Sequence, residues 1–433
     1  MALGSKLNSG WRALSHAVER RRHPHRFILN DKTPWVEIYR DGVMAVRHYT
    51  LPAIDAIPDD DQTVAVERNQ HRIPVLLIPA LGIQAWTWDL MPNRSMVRYL
   101  MARGYDVYLL DWGRPSLSDR ELGLSTYVNE WMPAAVAAVR QHASTEEVTL
   151  VGYCMGGLLA LMYLGAFPDA PVRNLSTIAS PVNFHKNGAF GTIMSLASFP
   201  ALKVHDWFQL RVERFDTKLF HIPGNLLSIG FKMTNPPGVV TAYLDLVRNI
   251  GDREYVTEYM TMGQWFNDMV DYPGATVREV IEHMVIANSL AGGRIRIGDR
   301  YSDFSNIRCS VLAFAGSSDK IASVHAAQAV MKLPPSTDRR LEAVAGGGLR
   351  GGGAPPERRG GGGRGGGGGG GPRGGGGGGA GFAGRAGGGG GRGRGWAGGG
   401  LVGRVSGGGG GGWKTAGGGG GWPAPRDRGV GGG

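Results

Sequence analysis

The sequence predicts an α/β protein with a mostly parallel sheet, an inserted helical cap and a disordered, Gly/Arg-rich C-terminal tail. Short continuous apolar runs, such as residues 75–78 and 148–151, are typical of strands buried on both faces. Helical patterns follow these runs, and such alternation favours right-handed crossovers between parallel strands. About 130 residues separate the fourth and fifth strand patterns, which is too long for a simple crossover and indicates the cap.

The expected elements can be justified in chain order. Two β-like runs in residues 35–49 flank Asp41-Gly42, a pair typical of a hairpin turn. Residues 55–71 are acidic and polar and predict a loop. Strands are then expected at 75–78, 107–112, 148–151, 175–179, 311–315 and 341–344. Helices are expected at 93–103, at 125–142, from the glycine-rich turn 152–157 to about 167, and at 323–332.

These elements divide the chain into five segments. A basic arm covers residues 1–34, and a helical cap rich in Met, Phe and Trp covers residues 182–302. The α/β core is expected on either side of the cap, at 35–181 and at 303–345, where it ends as if truncated. Residues 346–433 form the low-complexity tail.

Composition separates the tail from the rest of the chain. The tail holds 51 of the 74 glycines, 12 of the 47 basic residues and 2 of the 36 acidic ones, so the remainder is nearly neutral. The overall positive charge therefore does not indicate a folded nucleic-acid-binding face. Two cysteines exclude a disulfide framework. Without a long apolar run or an apolar leader, the expectation is a cytoplasmic protein.

The strongest catalytic signal is Gly152-Tyr153-Cys154-Met155-Gly156, between a strand pattern and a helical pattern. This is the context of a nucleophile turn, in which flanking glycines allow the tight bend and the central side chain projects above the sheet. The helix start is expected to lower the thiol pKa. The N–H groups of Met155 and Leu81 are the expected oxyanion donors. A small buried structural cysteine is the alternative for Cys154, and the favoured interpretation for Cys309.

Residues 35–345 resemble the catalytic subunit of polyhydroxyalkanoate (PHA) synthases, closest to the two-subunit, class III-like type, and their α/β-hydrolase relatives. The cysteine at the centre of the turn is the specific feature, since most hydrolases of this fold have serine there. The stretches that carry the resemblance are residues 75–81, Asp89-Leu90-Met91-Pro92, residues 95–100, 104–112, 152–157 and 303–312.

The resemblance implies a Cys–His–Asp triad. The turn Gly316-Ser317-Ser318-Asp319 places Asp319 as the aspartate, although an isolated aspartate there could also cap the next helix. The histidine is expected at the position of Gly348, so it is absent. Three other histidines are weaker candidates and are expected to be structural: His185, His283 and His325.

The loss of the histidine coincides with the start of the Gly/Arg-rich tail. Three interpretations compete: an RNA-binding tail, a flexible linker, and a failure of the reading frame or base sequence near residue 345. The third is favoured, because the break falls inside a core element rather than at a domain boundary. Residues 346–433 are then a sequence artefact.

The resemblance implies an acyltransferase that polymerises 3-hydroxyacyl-CoA through a cysteine thioester, without a cofactor or metal. The alternatives are a cysteine-centred hydrolase or thioesterase and a catalytically inactive binding protein. The implied partners are the growing polyester, a second non-catalytic subunit and a second copy of the chain. The implied location is the cytoplasm or the surface of a polyester granule. Nucleic acid is a partner only if the tail is genuine. Four cap aromatics either hold the polymer or pack in a core: Trp207, Phe208, Trp265 and Phe266.

Overall fold

The computed structural model describes residues 18–60, 62–187, 216–233, 236–317, 319 and 322–344, together with the short backbone stretches 350–351 and 396–397. Four residues or segments singled out in the sequence lie outside these ranges: Trp207, Phe208, Gly348 and almost all of the tail.

Sixteen strands occur in the described part of the chain. They are β1 Trp35–Asp41, β2 Met44–Tyr49, β3 Ala56–Asp59, β4 Gln62–Ala65, β5 Val75–Ile78, β6 Asp89–Met91, β7 Arg94–Ser95, β8 Val107–Asp111, β9 Val148–Tyr153, β10 Val172–Ile178, β11 Arg294–Ile297, β12 Arg300–Asp303, β13 Ser310–Gly316, β14 Arg339–Val344, β15 Arg350–Gly351 and β16 Trp396–Ala397.

The α-helices of the same ranges are α1 Met96–Ala102, α2 Met132–Ala143, α3 Met155–Ala166, α4 Gly224–Met233, α5 Pro236–Arg248, α6 Arg253–Asn267, α7 Gly274–Glu279 and α8 Val324–Gln328. Two π-helical stretches, Thr126–Trp131 and Val280–Ile286, precede α2 and follow α7. Among the described residues, no helix is long and apolar enough to cross a membrane.

The central sheet is mostly parallel, as the sequence predicts. Its strand order is β1-β2-β8-β5-β9-β10-β13-β14. Strands β8, β5, β9, β10, β13 and β14 run parallel. β5 and β9 are buried at every position, which explains their uninterrupted apolar sequence. The predicted hairpin is also present: β1 pairs with β2, and β2 adds both to the sheet edge, antiparallel to β8.

One expectation from the sequence was wrong. Residues 55–71 contain the hairpin β3–β4 rather than a loop alone, because Ile57 and Val64 pack against Tyr99 and Ala102 of α1. The segment between β10 and β13 also contains the hairpin β11–β12, whose alternate residues are buried. Helices α4 to α7 lie in the same segment, where the cap is predicted.

Candidate active site

Cys154 lies between the end of β9 and the start of α3, in a strained backbone conformation with φ 51° and ψ −115°. Glycine makes this turn possible on both sides. A Cβ at Gly152 would overlap the backbone of Gly157, and a Cβ at Gly156 would overlap the carbonyls of Ile78 and Pro79. Strand β9, helix α3 and the loop after β5 therefore meet at the cysteine, which is the arrangement of a nucleophile turn.

The thiol of Cys154 is half-buried, and its pKa differs from the sequence expectation. Burial raises the pKa of Cys154 to about 11, even though the N–H of Met155 acts in the opposite direction, and the charge of Asp319 raises it further. The expected lowering by the helix start was therefore wrong, because desolvation of the thiolate outweighs one hydrogen bond. In this environment the thiol is neutral near pH 7.

The two expected oxyanion donors lie on adjoining elements. Met155 is the first residue of α3, and Leu81 follows β5 in the loop 79–82. The close approach of Gly156 to Ile78 and Pro79 brings this loop to the start of α3. The indole Nε1 of Trp112 donates to the Pro79 carbonyl at 2.9 Å and fixes the loop from the other side.

Asp319 follows β13, two strands away from the end of β9. Adjacent strands are about 4.8 Å apart, so two strand spacings separate the two chain segments by about 10 Å, room for an intervening imidazole. The carboxylate Oδ1 accepts a hydrogen bond from the N–H of Ala322 at 2.9 Å. The N-cap of α8 is Ser323, whose hydroxyl accepts from Ala326, so Asp319 closes a local turn but does not cap the helix.

The position expected for the base follows β14, the strand next to β13. The Ser317 N–H donates to the Val344 carbonyl at 2.9 Å, so the two strand ends lie together, but Gly348 itself is outside the described residues. The last histidine in the sequence is His325, which is exposed on α8. His185 Nε2 lies 2.8 Å from the carbonyl of Val285, and His283 is in the second π-helical stretch.

Comparisons with known proteins agree with this fold. The profile of the alpha/beta hydrolase fold family matches residues 73–348. The chain is 29% identical over 309 residues to the poly(3-hydroxyalkanoate) polymerase subunit PhaC of Haloferax mediterranei, covering 71% of this chain and 58% of that one. It is 31% identical over 280 residues to the subunit of the same name from Synechocystis sp., covering 62% and 71%.

The chain belongs to the α/β-hydrolase family, among the poly(3-hydroxyalkanoate) polymerase subunits. It spans just over half the length of the Haloferax polymerase subunit. Among solved structures, a lipase-esterase related protein from Clostridium acetobutylicum is 14% identical with a TM-score of 0.37, covering 70% of this chain and 90% of that one.

A strap of the cap, residues 269–272, lies over the site of this polymerase-family chain. The Val270 N–H donates to the Gly82 carbonyl at 3.0 Å, and the Tyr272 ring would touch a Cβ at Gly82 at 3.1 Å. Tyr272 also exchanges two backbone hydrogen bonds with Ile222. Burial raises the pKa of the Tyr272 phenol, and Tyr127 and Cys154 contribute to the same shift. The strap thus closes above the loop that carries Leu81.

A partly buried pair, His221 and Asp271, anchors this strap. His221 Nε2 lies 3.0 Å from Asp271 Oδ2, and Asp271 Oδ1 accepts from the Gly224 N–H at 2.8 Å. Neither Tyr272 nor this pair is predicted from the sequence. The local sequence Tyr272-Pro273-Gly274 indicates only the start of α7, which begins at Gly274. The approach of Tyr272 to Gly82 is a contact between distant parts of the chain, so no local pattern reveals it.

The described cap aromatics pack as a core. Trp265 and Phe266 of α6 are buried with Trp86, Leu90 and Met91 of the α/β core. The Trp265 indole donates to the Thr87 hydroxyl at 3.0 Å. Their contacts therefore attach the cap to the core, the packing alternative raised from the sequence. In the described ranges, no group of three or more His, Cys, Asp or Glu side chains is arranged to hold a metal ion.

Proposed function

We propose that the chain is an acyltransferase that polymerises 3-hydroxyacyl-CoA into polyhydroxyalkanoate. The observation that carries the proposal is the strained Cys154 turn between β9 and α3, in a chain whose relatives are named polymerase subunits. The Cys154 sulfur attacks the thioester carbonyl of the substrate. The carbon–sulfur bond to CoA breaks, CoA takes up the proton of the thiol, and the acyl group remains on Cys154.

The second step transfers the acyl group to the growing chain. The terminal hydroxyl of the polymer attacks the acyl-cysteine carbonyl, an ester forms, and the thiol is regenerated with the hydroxyl proton. Both steps develop negative charge on the carbonyl oxygen, and the N–H groups of Met155 and Leu81 are the donors proposed to stabilise it. A thioester intermediate retains enough activation for the transfer to an alcohol.

Both steps need a base, because the thiol pKa of about 11 leaves little thiolate at neutral pH. Asp319 is proposed to orient and stabilise a histidine cation at position 348. The sequence has glycine at position 348, so we expect this 433-residue chain to polymerise 3-hydroxyacyl-CoA very slowly.

The test is mass spectrometry and CoA release with (R)-3-hydroxybutyryl-CoA as the probe. We expect an acyl adduct on Cys154 and release of CoA, both abolished in Cys154→Ala. Cys309→Ala is the matched control, since it removes the other cysteine and is expected to keep the adduct. An adduct that persists in Cys154→Ala would refute the assignment of the nucleophile.

The products separate the acyltransferase from the two alternatives. Free 3-hydroxybutyrate without oligomers indicates a cysteine hydrolase or thioesterase. The glycine at position 348 favours an inactive binding protein instead. The absence of any adduct, together with retained binding of substrate, would support that alternative.

A second non-catalytic subunit, a homodimer and association with polyester granules are further parts of the proposal. Size-exclusion chromatography and sedimentation with isolated granules test them.

Position 348 can be tested directly. We propose that residues 346–433 arise from an error in the coding sequence and that the correct sequence restores a histidine at or near position 348 and a closing helix. Sequencing the coding DNA for residues 335–433 tests this. A confirmed Gly/Arg-rich tail would place the inactive binding protein first.

A further inference from the structure

A cavity of about 590 Å³ lies at the end of the sheet opposite Cys154. Cys154 follows the last residue of β9, whereas the cavity is lined by Glu147, which precedes β9, and by Val172 and Ser310, which begin β10 and β13. The six residues of β9 span about 20 Å at 3.3 Å per residue. The cavity is therefore separate from the proposed active site, and its volume is that of a small-molecule pocket.

Positive charge dominates the walls of this cavity. Arg72, Arg173 and Arg308 line it together with a single carboxylate, Glu147. Glu147 Oε2 lies 3.7 Å from Arg173 Nη1. Arg72 and Arg308 are exposed, and neither forms an ion pair with any residue in the described part of the chain. Two guanidinium groups are thus available to an anion.

The rest of the wall combines apolar and polar side chains and is tied to the core. Phe167 and Ile73 are partly exposed and contribute aromatic and aliphatic surface. Asn306 Nδ2 donates to the carbonyl of Gly165 at 2.9 Å, which attaches this rim to α3. The same wall includes the half-buried thiol of Cys309, and burial raises the pKa of this thiol to about 12. The thiol therefore adds no negative charge that would repel an anion.

We propose that this cavity binds a small organic phosphate, a phosphomonoester dianion with an apolar body. Arg72 and Arg308 would hold the phosphate, because planar guanidinium groups match phosphate oxygens in a bidentate manner. A dianion also balances the excess of two positive charges that remains after Glu147 is counted. The apolar body would lie against Phe167 and Ile73. This site does not depend on the chemistry proposed for Cys154.

Calorimetry of the full chain with phenyl phosphate as the probe tests the site. We expect saturable binding that is tighter than that of inorganic phosphate, which has no apolar body, and of benzoate, which carries one charge. Arg72→Ala and Arg308→Ala should each weaken binding about tenfold or more at low salt. Arg40→Ala is the matched control, because it removes an exposed arginine from β1 at the far edge of the sheet.

A second measurement locates the bound probe. In a Cys154→Ala background, Cys309 is the one remaining thiol, and its modification by a neutral methanethiosulfonate should be slowed by saturating phenyl phosphate. Unchanged modification would place the probe elsewhere and overturn the site. Absence of saturable binding at millimolar concentration, equal weakening in Arg40→Ala, or tighter binding of benzoate would also overturn it.

Discussion

The N–H of Val270 donates to the carbonyl of Gly82 at 3.0 Å, and this hydrogen bond joins the cap to the loop after β5. The neighbouring residue in that loop is Leu81, the proposed oxyanion donor. An ion pair adds to this connection: Arg114 Nη2 donates to both carboxylate oxygens of Asp268, at 2.8 and 2.7 Å. The position of the cap is therefore linked to the loop that carries this proposed donor.

Gly82→Ala should disturb this link. Gly82 has φ 79°, and a Cβ there would lie 3.1 Å from the Tyr272 ring, so the substitution adds backbone strain and crowds the cap. We expect a loss of about 2–3 kcal/mol in unfolding free energy and slower acylation of Cys154. Gly42→Ala is the control, since Gly42 has φ 57° with nothing within 4 Å, and about 1 kcal/mol is expected from strain alone. Equal losses in urea melts would show that the cap contact has no effect.

Gly156→Ala should displace the start of α3. The added Cβ would meet the carbonyls of Ile78 and Pro79, which are backbone atoms and cannot rotate away. We expect a destabilisation of about 3 kcal/mol and loss of acylation, because Met155 moves with the helix. Gly230→Ala, on the exposed face of α4 with nothing within 4 Å, should instead gain about 1 kcal/mol. Normal acylation by Gly156→Ala would contradict the tight turn.

Cys154→Gly should be more stable than Cys154→Ala, although both are expected to lose acylation. At φ 51° only glycine relieves the backbone strain, which favours the glycine variant by about 1–2 kcal/mol. Ala160→Gly within α3 is the control and should have the opposite sign, costing about 1 kcal/mol. Thermal or urea unfolding distinguishes the variants; a glycine variant less stable than the alanine variant would mean that the turn stores no strain.

The sequence predicted those features that depend on local pattern. Strands such as β5 and β9 are predicted because burial on both faces requires continuous apolar residues, and the tight turn at Cys154 is predicted because it requires its flanking glycines. The hairpin β3–β4 was missed, since its polar residues become a strand pair only when Ile57 and Val64 pack on α1.

The properties of the site that were not predicted arise from contacts between distant segments. Tyr272 lies 190 residues after Gly82 in the sequence, so no local pattern links them. The thiol pKa was expected to be low from the helix start alone. The burial that reverses this shift depends on how core and cap together enclose Cys154, which local sequence does not reveal.

The reactivity of Cys154 should rise continuously with pH. The folded thiol has a pKa of about 11, above the ordinary value of about 8.5, and only the thiolate reacts with iodoacetamide. In a Cys309→Ser background, which leaves one thiol, the alkylation rate should increase about tenfold per pH unit between pH 7 and 10. The matched Cys154→Ser protein reports Cys309, whose pKa of about 12 predicts an even slower rate.

The same shift has a consequence for stability. The unfolded thiol ionises near pH 8.5 but the folded thiol only near pH 11, so the stability conferred by the buried neutral thiol is complete below about pH 8.5 and is lost as the pH rises towards 11. Urea unfolding at pH 7.5, 9 and 10 should therefore show a steeper loss in the Cys309→Ser protein than in Cys154→Ser/Cys309→Ser. A plateau in alkylation near neutral pH, with no difference between these slopes, would mean that a base already ionises Cys154 in this chain.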